Sequence, residues 1–98
     1  MHERLSPRRL RQQYFTEAEA QLLAIERAIK LQRPACVAEC AGRLAGASAI
    51  AGAELVVPIA AELEACADAH DLSVAAHLLA SIEHALVETR GTLHFPAI

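Results

Sequence analysis

The chain has 98 residues, 54% of them apolar but only 3% aromatic, and a formal charge of −3. That length suits one domain, residues 1–98, whose core must come from Leu, Ile, Val and much Ala, a composition fitted to closely packed helices. The acidic balance argues against a broad nucleic-acid surface, and no stretch approaches the ~20 apolar residues that a membrane span needs.

The first helix is expected to open at Ser6-Pro7, where Ser caps and Pro takes the first helical position. Leu10, Phe15, Ala18, Leu22, Ile25 and Ile29 recur at helical spacing and predict one buried face running to about Leu31. Pro34 opens a second helix to about Ile50, with Val37, Cys40, Leu44, Ala47 and Ala51 inward. Gly52 stops it, as Gly does after a helix C-terminus. A third helix is expected from Glu54 to Asp68, with Leu55, Ile59, Leu63 and Cys66 inward. Pro58 removes a backbone donor there, which favours a distorted first turn over a start just before the proline. The fourth helix, Leu72 to Arg90, buries Val74, Leu78, Ile82, Ala85 and Leu86, with Asp71 capping its start and Gly91 its end. The tail from Thr92 to Ile98 is expected to be loose. Short links make consecutive helices antiparallel, so the pattern predicts an all-α, up-down four-helix bundle.

The second helix is unusual on its outward side. On a wheel of 100° per residue, Val37, Leu44 and Ala51 mark one pole. Gly42 falls nearly opposite, surrounded by Ala35, Ala38, Ala45, Gly46 and Ala49 and edged by Glu39, Arg43 and Ile50. A solvated helix face is ordinarily charged, and each Gly inside an exposed helix costs about 1 kcal/mol relative to Ala. A strip with so little side chain admits another backbone at close range, so Ala38→Arg or Gly46→Arg is expected to block an interface while sparing the fold.

The same segment, Ala-Gly-Arg-Leu-Ala-Gly-Ala-Ser-Ala-Ile-Ala-Gly over residues 41–52, resembles the signature of the histidine phosphotransfer (HPt) domain family. That pattern is His-x-Leu-Lys-Gly with a further Gly six residues on and a Leu-Glu pair about three turns later. Leu44, Gly46, Gly52, Leu63 and Glu64 stand in register with it. The phosphorylated His falls on Gly42 and its companion Lys on Ala45. The resemblance covers roughly residues 8–90 and implies the same four-helix architecture. It also implies a place in two-component phosphorelay signalling, with a response-regulator receiver domain or a histidine kinase as partner. Phosphoryl transfer through His needs an imidazole nitrogen, and glycine offers none. The resemblance therefore implies a degenerate member, not an enzyme, that docks a partner through Ala38, Glu39, Gly42, Arg43, Ala45, Gly46, Ala49 and Ile50. Sequestration, competition and scaffolding are all open consequences.

Two other readings stay open. One is an active phosphorelay intermediate, in which Gly42 stands in for a natural His by engineering or another His takes the phosphate. The other is a homodimer through the small-residue face. His70, His77 and His84 recur every seven residues and share one expected solvent-facing side. Successive members are roughly 10 Å apart along a helix, too far for one metal ion; His77 or His84 is the more plausible displaced acceptor. His2 and His94 carry no clear signal. Cys36, Cys40 and Cys66 read as buried small apolar residues and, as an odd number of reduced thiols, point to the cytoplasm. The charged first residues lack the apolar region of a secretory leader. No metal or other cofactor is expected, nor any nucleic-acid or membrane partner.

Overall fold

A computed structural model describes residues 6–93 of the chain; the tail beyond Leu93, with His94, and the segment holding His2 lie outside the described residues. Four helices follow one another: α1 Pro7–Lys30, α2 Pro34–Ala51, α3 Val56–Asp68 and α4 Ala75–Thr92. Each packs on its neighbours in order and α4 closes on α1, so α2 and α4 are diagonal partners. This is the antiparallel four-helix bundle, with no strand among the described residues.

The helix boundaries follow local chemistry. The Ser6 Oγ accepts the Arg9 N–H at 3.2 Å, and Pro7 begins α1. Pro34 begins α2 in the same way, where a missing N–H costs nothing. Gly52 ends α2 at φ 79°, a left-handed conformation that glycine adopts without strain, and the Ala53 N–H turns back to the Ser48 carbonyl at 2.9 Å.

Three boundaries differ from the sequence expectation. α3 begins at Val56, so Pro58 sits in the first turn, where backbone N–H groups have no intrahelical acceptor to lose. The start ahead of Pro58 therefore holds over the favoured distorted turn, and Leu55, expected inside, lies exposed before the helix. α4 begins at Ala75, three residues later than expected. Asp71 instead accepts the Ser73 N–H at 3.0 Å within the preceding link, and its hydrogen bonds from the Ser73 side chain and backbone hold the carboxyl below the ordinary carboxylate range. Val74, expected inside, is exposed at this edge. Gly91 does not end α4; the helix runs through it to Thr92.

Ile25, Val37, Leu44, Val56, Leu63 and Ile82 are fully buried, so every helix supplies the centre of the core. Tyr14 is buried beside Phe15, as a core stripe requires, and the face of α1 is broader than that stripe: Gln21 and Ala28 are buried too, while Leu22 and Ile29 are only half-buried. A helix with neighbours on both flanks buries both. Polar groups in the core are paired, as buried ones must be. Tyr14 and Ser48 share a hydroxyl–hydroxyl hydrogen bond of 2.7 Å between α1 and α2, and the Thr89 hydroxyl donates to the Ala85 carbonyl at 2.6 Å. At the opposite seam, the Arg11 and Arg90 guanidinium groups lie 5.0 and 4.4 Å from the Phe15 ring centre. Arg90 also pairs with Glu19, and Arg11 donates to the Arg90 carbonyl, tying α4 to α1.

Candidate functional site

α2 owes its place to Pro34, Gly52 and a buried row at Val37, Ala41, Leu44 and Ser48. That row is rotated from the expected one: Cys40, Ala47 and Ala51 are half-buried on one flank, and Ala38 is buried on the other. The rotation divides the small-residue strip in two.

One part turns toward α3. Ala38 is only 8% exposed and belongs to the core, which corrects its place among the outward docking residues. A side chain as small as Ala gives the wheel no preference between core and surface, and the close approach of α3 claims it. Ala45 is half-buried and packs against the core cluster. Gly42 is half-buried too, and Glu64 of α3 lies over it. A Cβ built on Gly42 would meet Glu64 Oε2 at 2.6 Å, Cδ at 3.1 Å and Oε1 at 3.5 Å. Position 42 is thus the floor of the α2–α3 seam, with a carboxylate where a side chain would begin.

The other part remains open. Ala35, Glu39, Arg43, Gly46, Ala49 and Ile50 are exposed. Ile50 is 90% exposed, a large apolar side chain with almost no cover. A Cβ at Gly46 would meet nothing within 4 Å. Glu39 and Arg43 face each other one turn apart at 3.9 Å, both well solvated, and such a pair adds little stability. The exposed face therefore keeps a flat centre at Gly46 and Ala49, with the Glu39–Arg43 pair and Ile50 along one margin.

The remaining chemistry-bearing residues lie elsewhere. His77 and His84 are exposed on α4 and border an open groove whose apolar side is formed by Leu55, Ile59 and Ala85. His84 Nε2 is 3.4 Å from Glu88 Oε1. His70 is exposed in the link before α4, at φ 58°. Because α4 is diagonal to α2, these imidazoles do not converge on the small-residue face. The cysteines depart from expectation in one case: Cys36 is exposed, while Cys40 and Cys66 are half-buried, and all three are free. Burial pushes the Cys40 thiol up, with Glu39 adding to the effect and Arg43 opposing it. Among the described residues no group of three or more His, Cys, Asp or Glu side chains is placed to hold a metal ion.

The sequence model of the Hpt domain matches residues 9–92, which takes in nearly all of the four helices. The chain belongs to the Hpt domain family. No curated protein and no solved structure matches it. Hpt domains are parts of phosphorelay signalling systems, where they work with receiver domains and histidine kinases as carriers of phosphate rather than as catalysts. No helix of this Hpt domain, among the described residues, is long and apolar enough to cross a membrane. Its imidazoles, among those residues, are confined to α4 and the link before it; α1, α2 and α3 contain none. Sequence reasoning overlooked Ser48, a buried hydroxyl on the core side of α2. Its signal was present, since Ser48 lies four residues after Leu44 on the same row.

Proposed function

We propose that this Hpt domain docks a receiver domain or a histidine kinase of a phosphorelay without carrying phosphate itself, and that Gly42 occupies the phosphoacceptor position. The observation that carries this reading is the pairing of two features on one helix. α2 has no imidazole, yet it keeps an open face with small residues at Ala35, Gly46 and Ala49. Glycine has neither nucleophile nor leaving group for a phosphoryl step, so the retained face is a binding surface. Its contact residues are Glu39, Arg43, Gly46, Ala49 and Ile50, with Gly42 and Ala45 at the α3 edge. The cytoplasm, where the three free thiols would stay reduced, is the compartment that fits.

The test is incubation with phosphorylated receiver domains of the same organism, followed for label and for binding. The expected result is a receiver that binds the wild type, fails to bind Gly46→Arg, and transfers no label. Acid-labile label on His77 or His84 would overturn the reading in favour of a displaced acceptor.

A further inference from the structure

Glu64 carries an inference about what this face accepts, resting on the reading of α2 as a docking surface. We infer that the partner presents a lysine or arginine side chain to the α2–α3 seam, and that the Glu64 carboxylate pairs with it.

Geometry places the charge. Both carboxylate oxygens lie within 3.5 Å of the point where a Cβ on Gly42 would stand, so the group rests over bare backbone beside the open strip. Glu64 is half-buried there. The ion pairs among the described residues are Arg43–Glu39, His84–Glu88 and Arg90–Glu19, and none includes Glu64. Arg43, the sole cation of α2, is turned to Glu39 in its own helix.

The surroundings set the sign of the partner. Glu64 and Asp68 stand one turn apart on the same side of α3, which carries no Lys or Arg, and α2 adds one charge of each sign. The seam is therefore negative. A partner that covered it with an apolar surface would strip water from an unpaired carboxylate, and an uncompensated buried charge is strongly unfavourable. An acidic partner would add repulsion. A cation opposite Glu64 offsets the lost hydration and also draws the partner in during encounter. Gly42 contributes by being side-chain-free: the carboxylate can be reached across the strip without displacing anything from α2.

The experiment titrates a panel of purified receiver domains of the same organism against the wild type, Glu64→Gln, Glu64→Lys and Gly46→Arg. It is run between roughly 50 and 300 mM salt, with and without EDTA, after circular dichroism has established that each variant is folded. The expected result is a receiver whose affinity for wild type falls with salt. Glu64→Gln should weaken it about tenfold or more and flatten the salt dependence. Glu64→Lys should weaken it further, and EDTA should change nothing. Binding lost in Gly46→Arg but unchanged in Glu64→Gln overturns the pairing and leaves the docking surface standing. Binding that EDTA abolishes overturns the side-chain cation in favour of a divalent ion held by the partner. If no receiver binds the wild type, or if Gly46→Arg binds as well, the receiver-docking reading fails and the pairing with it. Concentration-dependent dimerisation that Gly46→Arg removes assigns the face to a second copy and overturns both.

Discussion

Glu64 and Gly42 occupy one space: the Glu64 Oε2 lies 2.6 Å from where any side chain at position 42 would start. The obstruction is the end of a flexible side chain, so it yields cheaply. A Gly42→His variant, alone or with Ala45→Lys, should therefore fold with a melting temperature close to wild type. The helix gains about 0.3–0.5 kcal/mol in exchanging glycine for histidine and gives some back in moving Glu64. Once moved, the carboxylate lies beside the new imidazole and favours its charged form. The pKa of the introduced imidazole, followed by NMR titration, should stand above the ordinary ~6.5 and fall back when Glu64→Gln is added. If the docking surface is retained as proposed, the double variant should also accept label from a phosphorylated receiver; folding and binding without label would count against the alignment of position 42.

Ala38 and Gly46 both belong to the side of α2 that the wheel turns outward, about 80° apart, and differ in the bundle. Ala38 is buried, whereas a Cβ at Gly46 meets open space. Gly46→Ala should stabilise the domain by about 0.5–1 kcal/mol through backbone entropy, a rise of several degrees in melting temperature at this size. Gly46→Arg should leave the fold intact. Ala38→Arg must place a charged side chain where α3 packs, and should cost roughly 3 kcal/mol or more. Thermal denaturation of the three variants ranks them; equal losses for both arginine variants would contradict the rotation of α2 described above.

The number, order and direction of the helices were legible because strong punctuation coincides with strong periodicity. Ser6-Pro7, Pro34 and Gly52 fall at real boundaries, and Ile25, Val37, Leu44, Leu63 and Ile82 lie on the stripes that predict burial. The setting of α2 about its own axis was not legible to better than one flank. Val37 and Leu44 fix its inner pole, but Ala38, Cys40, Ala45 and Ala47 differ too little in size and polarity to say which flank α3 covers. That choice is made by tertiary packing, which a single helix does not encode. The relation between Gly42 and Glu64 was out of reach for the same reason, since it joins two helices. The edges of α3 and α4 slipped because Pro58 is harmless in a first turn and because Asp71 closes its own turn with Ser73 rather than capping α4.

The three free cysteines should differ in reactivity. The thiolate is the reactive form, and access and pKa govern its rate. Cys36 is exposed at the start of α2; Cys40, one turn on, is half-buried and its thiol is pushed up by that burial. A thiol-labelling time course at neutral pH, read by mass spectrometry, should show Cys36 modified first, with Cys40 trailing and all three modified together in denaturant. Cys36→Ser should remove the fast phase without changing stability appreciably. A fast phase that survives this change would place Cys40 or Cys66 in a more open setting than the bundle gives them.

Tyr14 and Ser48 join α1 to α2 by a single buried hydrogen bond, and the chain has one tyrosine and no tryptophan, so this bond has its own optical probe. Ser48→Ala leaves the phenol without its partner in the core and should destabilise the domain by about 1–3 kcal/mol. Tyr14→Phe should cost less, because a helical serine hydroxyl can turn to the carbonyl four residues back. Desolvation raises the Tyr14 pKa above its ordinary value of 10.0, the bond to Ser48 only partly opposing this. The sign of the pH effect follows. Below that ordinary value the phenol is neutral in both states and its contribution is intact. Above it the unfolded chain ionises first and holds fewer protons than the folded one, so stability falls as pH rises. Phenolate absorbance in the native protein should therefore appear at higher pH than in denaturant and coincide with loss of helical signal. Titration of Tyr14 at its ordinary value, with helicity unchanged, would show that the Tyr14–Ser48 contact is open to water.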